Sequence, residues 1–192
     1  ITDRKRHEEA LRGAALAVSG AEGPTVFQEL VRYLATILRA DLAFIALHHG
    51  ECQDKLRMQA FYMDGKITEN FDYARAGTPC ETVIGREFRF YPSRLPELFP
   101  LDQDFRRLGL QSYAGFPLND SRGQPLGLIS VVSRSQLPDR EFTAAIMKIF
   151  AARAVAEIER QQADGDLNGG VGGLLPYMMR EEFLHDADSL KP

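Results

Sequence analysis

The chain has 192 residues, of which 44% are apolar and 26% charged, with a formal net charge of −4 at pH 7. These values are typical of one folded domain with short additions, and they lack the basic stripe of a nucleic-acid-binding protein. The longest apolar run, residues 42–47, is far too short to span a membrane, and no signal-peptide pattern begins the chain. With only Cys52 and Cys80, we expect a reduced cytoplasmic protein; a single disulfide between the two is the alternative.

Two helices are predicted at the start of the chain. In the first, Thr2 or Asp3 is a capping residue, and apolar residues recur every three or four positions as far as Gly20. Its charged first half has little to bury, so this helix is expected to extend from the domain or to pair with a copy of itself. The second helix, residues 25–39, has a wide apolar stripe that indicates packing against a sheet or another helix.

The period then changes to that of strands. Segments 41–49 and 55–63 are apolar, with a polar turn at 50–54 between them and a second turn at Asp64-Gly65. Strands 112–118 and 125–133 form a hairpin around residues 119–124. A helix capped by Asp139 follows, as far as about Gln162. Beyond it we predict a flexible linker and, at 174–185, a segment able to form a short amphipathic helix.

Residues 66–110 are irregular and contain four prolines, yet they are rich in aromatic side chains. A disordered linker would lack those aromatics, so we predict an ordered lid or pocket wall. Strands joined by hairpins, with helices grouped at both ends of the chain, indicate an α+β fold: an antiparallel sheet with the helices on one face and the lid on the other. A sheet enclosed in this way is suited to holding a small molecule.

Cys80, in the sequence GTPCETVIG at 77–85, is the first candidate for chemistry. A nucleophilic thiol needs a lowered pKa and a nearby base. None of the four histidines lies in the lid, although folding could bring His48 or His49 closer. We therefore interpret Cys80 as a packing residue at the start of a short lid helix, with a redox-sensitive thiol as the alternative.

Other motifs are interpreted as structural. The sequence HHGEC at 48–52 contains the imidazole and thiolate groups that bind zinc. Because neighbouring strand residues point to opposite faces, His48 and His49 cannot both hold one ion, and we predict no metal site. The charges of DQDFRR at 102–107 are read as the cap and surface of a short helix. GGVGG at 169–173 lacks the Lys-Ser/Thr of a phosphate loop.

Two segments of the chain resemble the GAF domain family, in the subgroup found in bacterial sensory proteins. The first is GTPCETVIG, and the second is the long motif from Phe90 to Val132. The resemblance covers roughly residues 24–162, and it implies a six-stranded antiparallel sheet whose sixth strand is 87–91. The opening of the chain resembles the final strand and exit helix of a PAS domain. The matching positions in the two segments are Gly77, Thr78, Pro79, Cys80, Tyr91, Pro92, Phe99, Pro100, Asp102, Ser112, Tyr113, Gly115, Pro117, Leu118, Asp120, Gly123, Leu126 and Gly127.

The resemblance implies a module of a multidomain signal-transduction protein. Such a domain senses a ligand or dimerises, and passes a helix displacement to an output domain such as a histidine kinase or a nucleotide cyclase. We expect no catalytic residue and no cofactor. Bilin-binding members commonly have a His after the cysteine, where this chain has Glu81. Members that bind cyclic nucleotides carry Asn-Lys-x-Phe-Asp-Glu, of which only Phe-Asp is present, at 71–72.

The predicted domains are a signalling helix at 1–22, the GAF domain at 23–162 and a linker at 163–192. We expect a homodimer through the terminal helices, with Ile146 and Ile149 in its interface, because helix 140–162 has more apolar residues than one sheet face needs. The alternative is a ligand-free scaffold whose pocket is filled by its own aromatics, and a thiol-based enzyme using Cys80 or Cys52 is less favoured. The predicted ligand-binding residues are Phe61, Tyr73, Cys80, Phe90, Tyr91, Phe99, Tyr113 and Phe116.

Overall fold

Helices from both ends of the chain and a set of strands make up the computed structural model, which describes residues 2–20, 23, 25–49 and 54–165. The helices in these residues are α1 (Asp3–Gly20), α2 (Val26–Leu38), α3 (Leu95–Leu98), α4 (Gln103–Arg107) and α5 (Arg140–Ala163), with a 3-10 helix at Pro79–Thr82. The strands are β1 (Leu42–His48), β2 (Lys55–Met63), β3 (Lys66–Thr68), β4 (Asp72–Ala74), β5 (Arg89–Tyr91), β6 (Ser112–Asn119) and β7 (Pro125–Ser133).

The chain divides into two units, residues 1–160 and 161–192. The first contains the sheet and all the helices but the last turn of α5. Of the second, the structure describes only residues 161–165, where α5 ends. The predicted linker and short helix at 174–185 lie outside the described residues, as do Glu51 and Cys52.

The strands form one antiparallel sheet in the order β3-β2-β1-β7-β6-β5, with β4 pairing separately with β2. The predicted antiparallel α+β fold is therefore confirmed, and the predicted sixth strand is β5. The sequence did not predict β3 and β4, because three residues are too few to show an alternating pattern. Both form against β2, whose nine residues provide pairing sites beyond β1.

A two-residue turn joins β2 to β3 at the predicted position. Asp64 and Gly65 have φ values of 46° and 89°, and the flanking residues Met63 and Lys66 pair with each other. Positive φ at both central residues matches the right-handed twist of hairpin strands, and an Asp-Gly pair adopts it at low cost. The turn thus fixes the register of β3.

Each face of the sheet is covered by a different layer. On β1, Ala43 and Ile45 point to one face and Leu42, Phe44 and Ala46 to the other, where they join a buried cluster with lid residues. Helix α2 packs on β1 and β2, and α1 packs on α2. Burying each of the large aliphatic side chains of α2 contributes about 1.5–3 kcal/mol to stability. A stripe this wide is therefore expected to be covered by a sheet or another helix, and here it is the sheet that covers it.

Helix α5 contacts α1 at two places. The His7 ring stacks on Phe142 with centroids 4.2 Å apart, and Arg153 Nε donates to the carbonyl of Val18 at 3.3 Å. Asp139 Oδ1 accepts a hydrogen bond from Phe142 N at 3.0 Å, which confirms the predicted cap. No helix in the described parts of the chain is long and apolar enough to cross a membrane.

Ile146 on α5 lies in the core of a single chain and is fully buried. It has no surface to offer to a partner, so the predicted dimer interface is wrong at this residue. Burial within one chain accounts for part of the apolar excess on the helix, and periodicity alone cannot distinguish it from burial against a second copy.

Candidate functional site

The structure brings six of the eight predicted ligand-binding residues together in the layer between the sheet and the lid. Phe61, Cys80 and Tyr113 belong to a buried cluster on this face, and Tyr73, Tyr91 and Phe99 pack against it. We call these six residues and their polar neighbours the lid cluster. Whether the lid cluster binds a ligand stays a prediction, but its grouping on one face follows from the fold.

Phe90 and Phe116 lie on the opposite face of the sheet. Phe90 pairs with Ala114, whereas its neighbour Tyr91 pairs with Tyr113, so the two side chains of β5 point in opposite directions. Phe90 and Phe116 instead contact Phe88, at ring distances of 6.4 and 6.0 Å. One ligand cannot be enclosed by all eight residues, and this part of the prediction is corrected.

Cys80 is held at the start of the 3-10 helix, where Pro79 begins the turn. Only 2% of its surface is exposed, and the Tyr113 hydroxyl donates to its Sγ at 3.7 Å. Burial raises the pKa of the Cys80 thiol to about 12, although hydrogen bonds with Tyr113 and Thr78 oppose this rise. The thiol therefore keeps its proton at neutral pH, which disfavours a nucleophilic role and agrees with a packing residue.

Tyr113 reaches its partners by lying over Gly115, two residues along β6. A Cβ on Gly115 would stand 2.5 Å from the Tyr113 hydroxyl and 2.7 Å from Cγ2 of Val83. The same hydroxyl is 2.8 Å from Oγ of Ser130, which is paired with Gly115 across the β6–β7 ladder. Glycine at 115 thus makes room for a buried polar contact between the sheet and Cys80.

A second polar pair joins the lid to the sheet. The Tyr73 hydroxyl, on β4, donates to Asp102 Oδ2 at 2.5 Å. Asp102 is 6% exposed, and its other oxygen caps α4 by accepting a bond from Asp104 N at 3.3 Å. The predicted cap is confirmed, and the same carboxylate also fixes α4 against β4.

A third pair lies near the sheet edge. The hydroxyls of Thr82, in the 3-10 helix, and Tyr91, on β5, are 3.0 Å apart. The Tyr91 ring also meets Phe99 edge-on at 5.1 Å and Tyr113 at 6.0 Å. The lid cluster therefore contains both aromatic contacts and hydrogen bonds between side chains.

Tyr73 and Tyr113 are neutral hydrogen-bonding groups. Burial raises the pKa of both Tyr73 and Tyr113 well above the ordinary value, and the nearby Cys80 raises them further. Tyr73, Tyr113 and Cys80 therefore keep their protons at neutral pH. The arrangement suits hydrogen bonding rather than proton abstraction at neutral pH.

His48 lies on the lid face at the end of β1. It pairs with Leu56 on β2, and Leu56 pairs in turn with Tyr73 on β4, so the three residues form one row across the sheet. Burial lowers the pKa of His48, and the positive charge of Arg75 lowers it further. Its Nδ1 is buried and has no hydrogen-bond partner in the described residues. Within those residues no group of three or more His, Cys, Asp or Glu side chains is placed to hold a metal.

Several residues of the lid cluster were not predicted. Thr78 and Asp102 were named as positions of the family resemblance, and Asp102 also as a cap, but neither was predicted to bind a ligand; Ser130 and Thr82 were not considered. Ser130 could have been noticed, since a polar residue inside the apolar run LISVV needs a hydrogen-bond partner when it is buried. The pairing of Tyr73 with Asp102 joins residues 29 positions apart, and no local pattern signals it.

Solved structures with the same fold include single GAF domains and phytochromes. The GAF domain of an Acinetobacter phosphoenolpyruvate-protein phosphotransferase has a TM-score of 0.65 and 14% identity, with 86% of this chain and 99% of that one covered. The corresponding domain from Coxiella burnetii has a TM-score of 0.64 and 18% identity, with the same coverage. These identities show the fold alone.

The photosensory core module of a Stigmatella aurantiaca phytochrome has a TM-score of 0.62 and 13% identity. It is matched over 86% of this chain but over only 39% of its own length, so the chain corresponds to one part of a larger protein there. None of the curated protein sequences matches the chain.

The sequence profile of the GAF domain matches residues 22–158, which is most of the chain. This range includes the whole sheet and the lid cluster, and it agrees with the structural neighbours. The chain belongs to the GAF domain family.

Proposed function

We propose that this chain is the regulatory sensory domain of a multidomain bacterial signal-transduction protein in the cytoplasm. In this proposal a small molecule binds between the lid and the sheet, and the domain is not itself an enzyme. The observation that carries the proposal is the way the lid is attached: hydrogen bonds of tyrosine hydroxyls, and not apolar contacts alone, join it to the sheet.

Polar attachment supports a lid that can exchange partners. An intramolecular hydrogen bond contributes only about 0.5–1.5 kcal/mol net between neutral groups and about 1.5–3 kcal/mol with a charged group, so a ligand that offers equivalent bonds could replace it at small net cost. Tyr73–Asp102 and Thr82–Tyr91 are the two pairs that such a ligand would meet at the lid. A ligand that binds open and closed lids differently would shift their populations, which is the requirement for a sensor.

The non-enzymatic part of the proposal is supported by the state of the groups in the site. Cys80, the candidate nucleophile, has a pKa of about 12 and is buried. His48, which lies in the same row of the sheet as Tyr73, is at the end of β1 rather than in the lid. Nothing in this arrangement provides an activated nucleophile at neutral pH.

The terminal helices are the proposed route to the output domain. They cover the face of the sheet opposite the lid, and α1 and α5 contact each other directly. We propose that two chains pair through α1 and α2, where Leu16 and Tyr33 are exposed. A preceding PAS-like domain and an output domain of the histidine kinase or nucleotide cyclase type are the proposed partners in the full-length protein.

Native mass spectrometry of the purified protein tests ligand binding. We expect extra mass on the folded chain that is lost on denaturation, and less of it in a Tyr73→Phe variant, which lacks the Asp102 bond. A variant that removes a hydroxyl outside the lid cluster, Thr36→Val on α2, is the matched control. Extra mass retained by Tyr73→Phe to the same extent would place the ligand elsewhere, and mass that survives denaturation would indicate covalent attachment.

A ligand-free scaffold is the second candidate, and one observation favours it. The rings of the lid cluster pack on one another, with Phe61 5.2 Å from Phe71 and Tyr91 5.1 Å from Phe99. Such contacts fill space that a ligand would need. A chain that carries no extra mass, yet is a dimer, would favour a scaffold for dimerisation and domain spacing.

A further inference from the structure

The outer surface of the lid exposes two large apolar side chains that are three positions apart in the chain. Leu98 at the end of α3 and Leu101 just before α4 are 53% and 80% exposed. The exposed Pro100 lies between them in sequence. A single exposed leucine is normal on a protein surface, but adjacent ones around a groove are a feature of interaction sites.

A groove with excess positive charge lies in the same segment. It has a volume of about 690 Å³ and is lined by Pro100, Gln103, Asp104, Arg106 and Arg107. Arg106 and Arg107 are exposed, and neither forms an ion pair within the part of the chain that the structure describes. Asp104 supplies the one carboxylate among these lining residues, against two guanidinium groups. Two guanidinium groups thus remain available to an anionic partner.

We propose that this surface, formed by Leu98, Pro100, Leu101, Arg106 and Arg107, is a docking site for an acidic peptide segment of a partner protein. Carboxylates of the peptide bind the two guanidinium groups, which match carboxylates in pairs of hydrogen bonds. Apolar side chains of the peptide cover Leu98 and Leu101. We call this surface the lid patch.

Charge distinguishes this partner from the alternatives. A symmetric contact between two copies with this surface at the two-fold axis would bring Arg106 and Arg107 close to their own counterparts, and like charges would oppose the association. An anionic membrane surface is usually bound by clusters of about four to eight basic residues, whereas the lid patch has two and the chain has a net charge of −4. An acidic peptide needs only these two charges and the apolar surface beside them.

The lid patch lies on the outer side of the lid around α4, and the inner side of this helix packs against the core beneath the lid. On α4, Phe105 is buried in the cluster while Arg106 and Arg107 are exposed, and Asp102 caps the same helix. A peptide docked here would contact α4 directly. The site is separate from the space between lid and sheet, so it does not depend on a ligand there.

Selection from a display library of short random peptides tests the proposal on the full chain. We expect the enriched peptides to combine acidic and apolar residues. Their affinity should fall by about tenfold or more in the variant Leu101→Ser/Arg106→Glu/Arg107→Glu. All three residues are exposed, so this variant should fold, which thermal unfolding verifies. The control Arg86→Glu/Arg122→Glu makes the same two charge reversals at other exposed positions and should bind as the unaltered chain does.

Failure to enrich any peptide, or enrichment of peptides that bind both variants equally, would overturn the proposal. Two further measurements test the alternative partners, a membrane surface and a second copy of the chain. The first is cosedimentation with vesicles containing about one third phosphatidylglycerol. If the unaltered chain binds these vesicles and the lid-patch variant does not, the surface is a membrane contact instead. Self-association in sedimentation velocity that is lost in the same variant would make it a contact between copies.

Discussion

Gly115 is the residue at which the sheet makes room for the lid cluster. Replacing it with alanine would place a methyl group against the Tyr113 hydroxyl and Val83, both of which are buried. Tyr113 would have to move away from Ser130, leaving a buried hydroxyl without its partner. We expect Gly115→Ala to lower the free energy of unfolding by about 2 kcal/mol, measured by urea denaturation.

Gly13→Ala is the matched control for this change. Gly13 lies within α1, and a Cβ there would meet nothing within 4 Å. Alanine is the better helix former, so this variant should be as stable as the unaltered chain or more stable by about 0.5–1 kcal/mol. Equal stabilities for both alanine variants would show that Tyr113 does not depend on the space over Gly115.

The reactivity of Cys80 is predicted from its burial. In a Cys52→Ser background, which leaves Cys80 as the only thiol, we expect no reaction with a thiol reagent in the folded protein at pH 8. Complete reaction should follow in denaturant, because unfolding exposes the thiol and returns its pKa to about the ordinary 9.0. Rapid reaction of the folded protein would support a redox-sensitive thiol instead.

The same pKa shift predicts a pH dependence of stability. The thiol has a pKa of about 12 when folded, against an ordinary 9.0 when unfolded. Above pH 9 the unfolded state therefore loses a proton that the folded state keeps, so stability is fully present below pH 9 and falls as pH rises towards 12. Relative to Cys80→Ala, the free energy of unfolding should fall more steeply, by up to about 1.4 kcal/mol per pH unit. Parallel curves would contradict the shift.

At the scale of elements, α1 and α5 run parallel and in register. Val18 follows His7 by eleven residues, and Arg153 follows Phe142 by the same eleven. Eleven helical residues rise about 16 Å, so both contacts form with the two helices side by side. A displacement of α1 along its axis would thus act on α5 directly, which is how a helix entering the domain could act on the helix leaving it.

Arg153→Ala tests this coupling. The change removes the bond to Val18 and a guanidinium group beside the buried Glu157, which Arg160 also contacts at 2.7 Å. We expect a loss of about 1–3 kcal/mol and faster amide exchange in α1, measured by hydrogen exchange with mass spectrometry. Lys148→Ala, an exposed change on the same helix, is the control. Faster exchange throughout the sheet would indicate general destabilisation rather than loss of this contact.

At the scale of the whole molecule, the structure changes the test of dimerisation. Glutamate at Ile146 would unfold the chain, because that side chain is fully buried. Leu16 is 69% exposed on α1, so Leu16→Glu tests the helical surface while sparing the core. We expect a dimer in sedimentation velocity that becomes a monomer in this variant. A dimer that survives the change would require an interface outside the neighbourhood of Leu16.

The sequence by itself determined the kind of elements and their order. The periodicity of α2, the apolar runs of the strands, the Asp64-Gly65 turn and the Asp139 cap are all patterns within a few residues, so each was predicted. The lid was predicted from its composition. These features are local, and the physics that produces them acts on neighbouring residues.

Only the tertiary structure decided which side chains meet. Phe90 and Tyr91 are adjacent in sequence, yet strand pairing sends them to opposite faces, and one step of register determines which of them faces the lid. Tyr73 meets Asp102 because β4 pairs with β2 and α4 folds back over it, and Ile146 is buried because α5 finds its partners within one chain. Contacts of this kind depend on how distant segments pack together, and no pattern within either segment encodes them.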